Sequence, residues 1–384
     1  TIADGYVVDT TSNCAVSFCG GSGLGGAIHD GALIFKCSAL NNQYIVFNEY
    51  CSDEPSFHGP LNLFYSKVDM NAFFGQGAIL AKNQLVLNDT LCGSMAATQH
   101  SNGRSWWLIE QKMYTNKFVK VLVTDSGQVT RSFQNVGPVY GGFVSGLTRF
   151  SPDGTRYFTS TDDGNIRIFG FDRCTGELSY QQSIVILPDT IYHTSFEIST
   201  SGRYLYLNSM HNVFQFDLTA ANIQQTQIDV ATYDGYVLNN APSTFGWMKR
   251  GPDGKIYIAP HNGARTLHVI NYPDSAGIAC NVIQHFISVP TGMKTLPSFP
   301  NYDSPVVNIN CDSILLAQTN EVNAISGLQL YPNPVTNSTL HLDYDMDDSQ
   351  TGEILITDMT GTILQQENLQ HDITCEIRSC LYFI

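Results

Sequence analysis

Four turns with a common pattern recur along this chain at a nearly constant distance. Each carries a glycine just before a strand rich in aromatic or β-branched residues, and the four glycines are Gly103, Gly154, Gly202 and Gly254. Successive glycines lie 51, 48 and 52 residues apart. A period of about fifty residues with four strands per repeat is the signature of a β-propeller. The repeats therefore predict an all-β fold and limit the alternatives more than any other feature of the sequence.

The repeat around Gly154 illustrates the expected order of strands. Residues 147–150 form a first strand, and Ser151-Pro152-Asp153-Gly154 forms a hairpin in which Pro suits the second turn position and Gly supplies positive φ. Residues 156–160, 166–172 and 183–187 then read as the second, third and fourth strands. Weaker copies at residues 40–47 and 10–16 raise the count to six blades. A seventh would exist if N-terminal strands completed a blade with residues near 290–305, which would also remove an exposed sheet edge.

Composition supports the same fold class and excludes some functions. Charged residues make up 14% of the chain and hydrophobic residues 43%, a balance that favours many short strands joined by turns. The net charge of −15 argues against nucleic acid and anionic membranes as partners, since both carry the same sign of charge. We expect no membrane span, because no run of about eighteen apolar residues exists. The chain starts at Thr1 without a charged and apolar leader, which indicates a processed or partial chain.

A second region near the C-terminus has its own pattern. Tyr331-Pro332-Asn333-Pro334 follows a short strand, alternating strands come after it, and Asp358 to Gly361 forms an Asp-x-x-Gly turn. Roughly the last sixty residues resemble the C-terminal sorting domain of proteins exported by the Bacteroidetes type IX secretion system. The resemblance implies a small Ig-like β-sandwich, the type IX machinery as a partner and a secreted, cell-surface location. Its sorting motif would comprise Tyr331, Pro332, Asn333, Pro334 and Gly361.

The repeats resemble the Bacteroidetes surface propellers that carry this sorting domain. The matching sequence segments lie at residues 100–107, 150–154, 171–178, 252–257 and 297–302. The resemblance implies a propeller related to lactonases and WD-type repeats, mostly without assigned activity. We predict a β-propeller at 1–310, a linker at 311–324 and a β-sandwich sorting domain at 325–384.

The ten cysteines contain no C-x-x-C pair, so disulfides explain them better than structural zinc. We expect at least two disulfides, with Cys375 and Cys380 as a plausible local pair, and buried free thiols as the alternative. The histidines show no H-x-H or H-E-x-x-H spacing, which predicts hydrogen-bonded strand and loop residues rather than a metal site.

For each of the other candidate sites, a purely structural explanation stands beside the functional one. Asp343, Asp345 and Asp347 could bind calcium, or form a solvated acidic loop. The remaining Asp-Gly loops are explained by turns. Adjacent Trp106 and Trp107 face opposite sides of a strand, and packing between blades is favoured over sugar stacking.

Five Asp-Ser or Asp-Thr steps match the loose O-glycosylation pattern of Bacteroidetes, and they predict a glycoprotein. The acceptor residues would be Thr10, Thr90, Thr190, Ser275 and Ser313.

These observations lead to a prediction of a secreted, non-catalytic propeller with a structural, adhesive or assembly role and no cofactor other than calcium. Surface polysaccharide or a second copy of the chain would be its partner. The sorting-like domain stops one strand short, at residues 381–384, so a neighbouring copy could add a strand and build filaments. The alternative is a propeller hydrolase of the lactonase type with an axial divalent cation; no Gly-x-Ser-x-Gly nucleophile motif exists.

Overall fold

A computed structural model describes the chain at residues 31–51, 60–139, 147–160, 165–185, 195–238, 240–261, 263–290, 296–305 and 311, and in five further strands between 329 and 376. The chain divides into two compact units, residues 1–318 and 319–384. The described part of the first unit is built almost entirely from antiparallel strands.

The described residues of the first unit contain five four-stranded sheets and one short hairpin. Sheet 1 contains β1 (Ala32–Lys36), β2 (Gln43–Cys51), β3 (Pro60–Asp69) and β4 (Ala78–Asn88). Sheet 2 contains β5 (Ala96–Gln99), β6 (Trp106–Gln111), β7 (Lys117–Val123) and β8 (Val129–Asn135). Sheet 3 contains β9 (Thr148–Phe150), β10 (Arg156–Ser160), β11 (Asn165–Phe171) and β12 (Leu178–Val185). Sheet 4 contains β13 (Ser195–Ile198), β14 (Tyr204–Asn208), β15 (Asn212–Asp217) and β16 (Ile228–Thr232). Sheet 5 contains β19 (Phe245–Arg250), β20 (Ile256–Pro260), β21 (Thr266–Ile270) and β22 (Val282–Ser288), and the hairpin of β17 (Val237–Leu238) and β18 (Ala241–Pro242) precedes it.

In every sheet the strands pair in the order of the sequence, as expected for hairpin connections. The four predicted glycine turns all join the first strand of a sheet to its second. In sheet 3, Gly154 adopts a φ of +72°, and a Cβ built there would lie 2.5 Å from Thr98 Oγ1. A glycine is required at this turn for both its conformation and its lack of a side chain. The four glycine turns and the order of four strands per repeat are confirmed, and the fourth strand of the repeat around Gly154 lies at 178–185, earlier than the predicted 183–187.

Each sheet packs face to face on the next through a separate apolar core. The alternation of side chains along β6 shows how one strand serves two cores. The ring centroids of Trp106 and of Phe35 in sheet 1 lie 5.5 Å apart, whereas those of Trp107 and of Phe171 in sheet 3 lie 6.4 Å apart. Both tryptophans are buried. Packing between sheets is therefore the role of this pair, as predicted.

The first strands of consecutive sheets approach one another and define the centre of the unit. Thr148 N of β9 donates to Ser94 Oγ, just before β5, and Met248 N of β19 donates to Ser195 Oγ of β13. Repeated four-stranded meanders stacked face to face, with first strands meeting, form a β-propeller-like arrangement. The described residues contain five such sheets; the predicted repeat at residues 10–16 lies outside them.

Helical structure within the described residues is slight. It consists of α1 (Ala72–Gly75) and two 3₁₀ segments, η1 (Ile223–Thr226) and η2 (Gly277–Cys280). The second unit, described by itself, has a three-stranded sheet of β23 (Gln329–Tyr331), β24 (Thr339–Asp343) and β27 (Thr374–Glu376). It also has a hairpin of β25 (Glu353–Thr357) and β26 (Ile363–Asn368).

Candidate functional site

A cavity of about 360 Å³ opens where the first strands meet. Its lining comes from β5, β9, β13 and β19 of four different sheets, and from the segment 296–305. Because each first strand contributes only one to three residues, the site is assembled from positions about fifty residues apart. We call it the central cavity.

A buried ion pair forms one wall of the central cavity. Arg149 of β9 donates from Nε to Glu197 Oε2 of β13 at 3.2 Å, and the two side chains are only 9% and 7% exposed. Glu197 Oε1 also accepts the backbone N–H of Ile198 at 2.9 Å. Arg149 in turn donates to the carbonyl oxygens of Thr148 and Met248. These contacts tie three first strands together and hold both charges in one orientation.

Arg250 of β19 is held beside this pair. Its backbone N–H donates to Glu197 Oε2 at 3.3 Å, and its Nη1 donates to the carbonyl oxygen of Ile198 at 3.1 Å. Its Nη2 donates to Asp303 Oδ2 at 2.6 Å. The Arg250 guanidinium is thus fixed at the cavity wall, while the Asp303 side chain remains 57% exposed to solvent.

Lys249 adds a third positive charge to the lining. The residue is half-buried, and its Nζ lies 3.4 Å from Ser298 Oγ. The charged residues of the lining are Arg149, Lys249, Arg250, Glu197 and Asp303, three cations and two anions with a net charge of +1. A cavity of positive sign in a chain of net charge −15 selects for an anion, or for negative charge that develops during a reaction.

The segment 296–305 lines the cavity and contains no strand. Asn301 forms an isolated parallel bridge with Thr98, and its Nδ2 donates to the carbonyl oxygens of Ser151 and Pro152. Thr98 and Ser304 share a hydrogen bond of 2.7 Å. The alternative of a seventh blade needs N-terminal strands that lie outside the described residues, so it stays a prediction. Asn301 bonds to the turn after β9, and the prolines of the segment have no N–H for a strand ladder, which favours an irregular path.

A disulfide joins Cys174 to Cys311, with 5.4 Å between the Cα atoms. Neither cysteine was singled out by sequence spacing, because they lie 137 residues apart. Cys37 and Cys280 are free and buried, and Cys92 is also buried. The predicted pair Cys375–Cys380 lies outside the described side chains and stays a prediction.

The histidines behave as hydrogen-bonded structural residues where the structure describes them. His100 Nε2 contacts the carbonyl oxygen of Cys174 at 3.0 Å, and its Nδ1 accepts the N–H of Asn102. Burial lowers the pKa of His268 to about 4, and the neighbouring His285 acts in the same direction. His285 contacts Asp234 at 2.7 Å. No group of three or more His, Cys, Asp or Glu residues that could hold a metal occurs among the described residues.

The aspartates of the glycine turns stabilise the turns themselves. Asp153 Oδ1 accepts the N–H of Thr155 at 3.0 Å, and Asp253 Oδ2 accepts the Tyr257 hydroxyl at 2.8 Å. Burial acts to raise the pKa of Asp153, but hydrogen bonds from Ser151 and Thr155 outweigh it and leave the pKa lowered. The turn interpretation is confirmed for both residues.

Several predicted site residues lie outside the described side chains. They are the calcium candidates Asp343, Asp345 and Asp347, the sorting motif residues Tyr331, Pro332, Asn333, Pro334 and Gly361, and the glycosylation candidates Thr10, Thr190 and Ser313. Thr90 and Ser275 are both half-buried in the first unit. The residues proposed for strand addition, 381–384, are likewise outside the described part.

The sequence interpretation missed the charged residues of the central cavity, although a signal existed. Arg149, Glu197 and Lys249 each stand five residues before a turn glycine, at Gly154, Gly202 and Gly254. A charged residue at one repeat position inside an otherwise apolar strand is unusual, because burying a charge is costly unless it is paired. Alignment of the repeats on their glycines would have revealed this set.

No family model matches the chain, and no curated protein is similar to it in sequence. Structures with a related fold include a proposed 6-phosphogluconolactonase from Bacteroides fragilis, 12% identical, with 73% of this chain and 88% of that one aligned at a TM-score of 0.44. The periplasmic gluconolactonase of Pseudomonas aeruginosa is 13% identical over 72% of this chain and 88% of its own, with a TM-score of 0.40. A protein of unknown function from Desulfotomaculum acetoxidans is 14% identical over 68% and 73%, with a TM-score of 0.43. At these identities and scores the likeness concerns the fold alone.

The prediction that the chain is not an enzyme is withdrawn, since two of these three related folds are described as lactonases. None of the described helices is long and apolar enough to cross a membrane, in agreement with the sequence.

Proposed function

We propose that the chain is a hydrolase of the lactonase type that acts on a small polar substrate in the central cavity. The observation that carries this proposal is the fixed Arg250–Asp303 pair beside Lys249, because it places a carboxylate and two cations along one cavity. Ester hydrolysis needs both: a base for the attacking water and positive charge for the oxyanion.

Each charged residue then has a distinct role. Asp303 takes a proton from a water molecule as it attacks the lactone carbonyl, and the Lys249 ammonium stabilises the oxyanion that forms. The ring C–O bond breaks, and the proton held by Asp303 passes to the leaving oxygen, which gives a hydroxy acid. Arg250 positions Asp303, and the Arg149–Glu197 pair positions Arg250 through its backbone N–H.

An axial divalent cation does not fit these residues. Three of the five charged side chains in the lining are cationic, and they would repel such an ion. The described residues also lack a cluster of three metal-ligating side chains. We therefore derive no step through a metal, and the Lys249 ammonium takes the electrostatic role.

The proposal is tested by hydrolysis of a panel of γ- and δ-lactones, followed as acid release. We expect Lys249→Met to lower kcat/KM by about 10²- to 10³-fold, as for loss of an oxyanion donor. Asp303→Asn should lower it by roughly 10²- to 10⁴-fold. Lys82→Met, at an exposed lysine of β4, is the matched control and should leave turnover unchanged. A wild-type protein that opens no lactone above the uncatalysed rate would end the proposal.

We further propose that type IX export delivers this enzyme to the cell surface, with residues 325–384 as its sorting domain. The Tyr331–Pro334 motif and the strands of the second unit support this proposed location at the cell surface. Expression with and without residues 319–384 in a type IX-competent host tests it: the full chain should reach the surface, and the truncated one should not. Equal export of both would contradict it.

A further inference from the structure

Two aromatic side chains stand exposed in the lining of the central cavity. Phe299 is 47% exposed and Tyr302 is 56% exposed, and both belong to the segment 296–305. Large aromatic residues are usually buried when only packing requires them. Their position beside a polar, charged cavity therefore points to a ligand with an apolar face.

Tyr302 is held in place although its ring is exposed. Its hydroxyl donates to the carbonyl oxygen of Ile34 at 3.2 Å, and its ring lies edge-on to Trp106 with 5.2 Å between centroids. A ring fixed from one side loses little conformational entropy when a ligand covers the other side. This is the property of a preformed stacking platform.

The chemistry of the two parts limits the ligand. An aromatic face carries negative charge and attracts the weakly positive C–H groups on the face of a sugar ring. The cavity behind it offers Lys249 and Arg250 to an anionic or carbonyl oxygen. Its volume of about 360 Å³ lies near the lower end of the range for small-molecule pockets, roughly 300–1,000 Å³. One sugar unit inside and a second on the aromatic rim suit these dimensions.

We propose that the site takes the aldonolactone end of an oligosaccharide, with the lactone ring in the cavity and the adjoining sugar ring stacked on Phe299 and Tyr302. This names the substrate class of the proposed function and rests on the same cavity. Its hydrolysis product is an aldonic acid whose carboxylate pairs with Lys249. The acidic surface of the chain disfavours long polyanions, so the adjoining sugars should be neutral.

The test compares gluconate with lactobionate, which is the same acid extended by one neutral sugar, in calorimetric titrations of the full chain. The Asp303→Asn variant is titrated in parallel, so that binding is measured apart from catalysis. We expect lactobionate to bind at least tenfold more tightly than gluconate. Phe299→Ala and Tyr302→Ala should abolish that preference, so that each variant binds the two acids with equal affinity. Tyr302→Phe, which keeps the ring, should retain the preference, and Tyr272→Ala, an exposed aromatic residue outside the cavity lining, is the matched control.

The outcomes separate this inference from the proposed function. Equal affinity for the two acids, or a preference that survives both alanine substitutions, would overturn the stacking site even if simple lactones are hydrolysed. A lactobionate preference that depends on the two rings would support it even if no lactone is turned over.

Discussion

The first unit buries glutamate in two places, and the surroundings differ. In the central cavity, Glu197 accepts from the Arg149 guanidinium and from the backbone N–H groups of Ile198 and Arg250. Between sheets 1 and 2, Glu110 of β6 instead lies beside another acid, Glu49 of β2. Both of these residues are buried.

The physical consequence concerns protonation. Burial raises the pKa of Glu110 to about 8, and hydrogen bonds from Glu49 and the Gly93 N–H oppose this only in part. Two facing carboxyl groups cannot both ionise in a low-dielectric interior, so they share a proton. A buried acid is therefore a fixed charge where the fold supplies donors and a neutral acid where it supplies another acid. Only the buried acid that is held as a fixed charge can orient a catalytic group near neutral pH.

The largest loss of stability is expected when the cation that pairs with Glu197 is removed. Arg149→Met leaves Glu197 buried beside the cavity without its guanidinium and should destabilise the first unit by about 3–5 kcal/mol. Urea unfolding at pH 7 measures this through tryptophan fluorescence, because all three tryptophans, Trp106, Trp107 and Trp247, lie in that unit.

Two further variants sharpen the Arg149 experiment. Arg203→Met removes the exposed partner of Asp217 and should change nothing measurable. The double variant Arg149→Met/Glu197→Met removes both charges and should recover part of the loss. A single variant as stable as the wild type would mean that the buried pair does not hold the first strands together.

The second effect is a pH dependence from the glutamate pair. Because the pKa of Glu110 is raised in the folded state, its contribution to stability is complete below the unfolded value of 4.5 and is lost as the pH rises towards about 8. The free energy of unfolding of the first unit should fall by several kcal/mol over this interval, on the order of 3–5.

Glu110→Gln removes the titrating group while keeping its shape, so it should flatten the pH profile and be more stable than the wild type at pH 8. Asp229→Asn, at an exposed carboxylate of β16, is the control and should keep the wild-type profile. If the free energy of unfolding changed with pH in the same way for the wild type and for Glu110→Gln, the Glu49–Glu110 pair would not be the source of the pH dependence.

The smallest loss of stability is expected from the removal of an uncharged hydrogen bond where the first strands meet. Ser94 Oγ accepts the N–H of Thr148 at 3.1 Å, and both residues are buried. Ser94→Ala leaves that N–H without its acceptor and should cost about 1–3 kcal/mol in urea unfolding, less than Arg149→Met. Ser126→Ala, at an exposed turn of sheet 2, is the control. A loss equal to that of Arg149→Met would show that charge adds nothing to these contacts.

The sequence alone was sufficient for the repeat, the turns and the strands. A turn glycine such as Gly154 requires positive φ, and the apolar alternation of Trp106 and Trp107 is a local property of one strand. Both depend on neighbours within a few residues, so they can be deduced from a stretch of sequence. The packing role of the tryptophans and the turn role of Asp153 follow in the same way.

The central cavity was decided by tertiary structure. Arg149, Glu197 and Arg250 come from three repeats, and Asp303 comes from a segment outside the repeats. The same holds for the Cys174–Cys311 disulfide and for the Glu49–Glu110 pair, whose members lie 137 and 61 residues apart. Whether a buried charge meets a cation, another acid or a cavity depends on which sheets pack together, and the physical reason is that electrostatic interactions act through space across residues far apart in the chain.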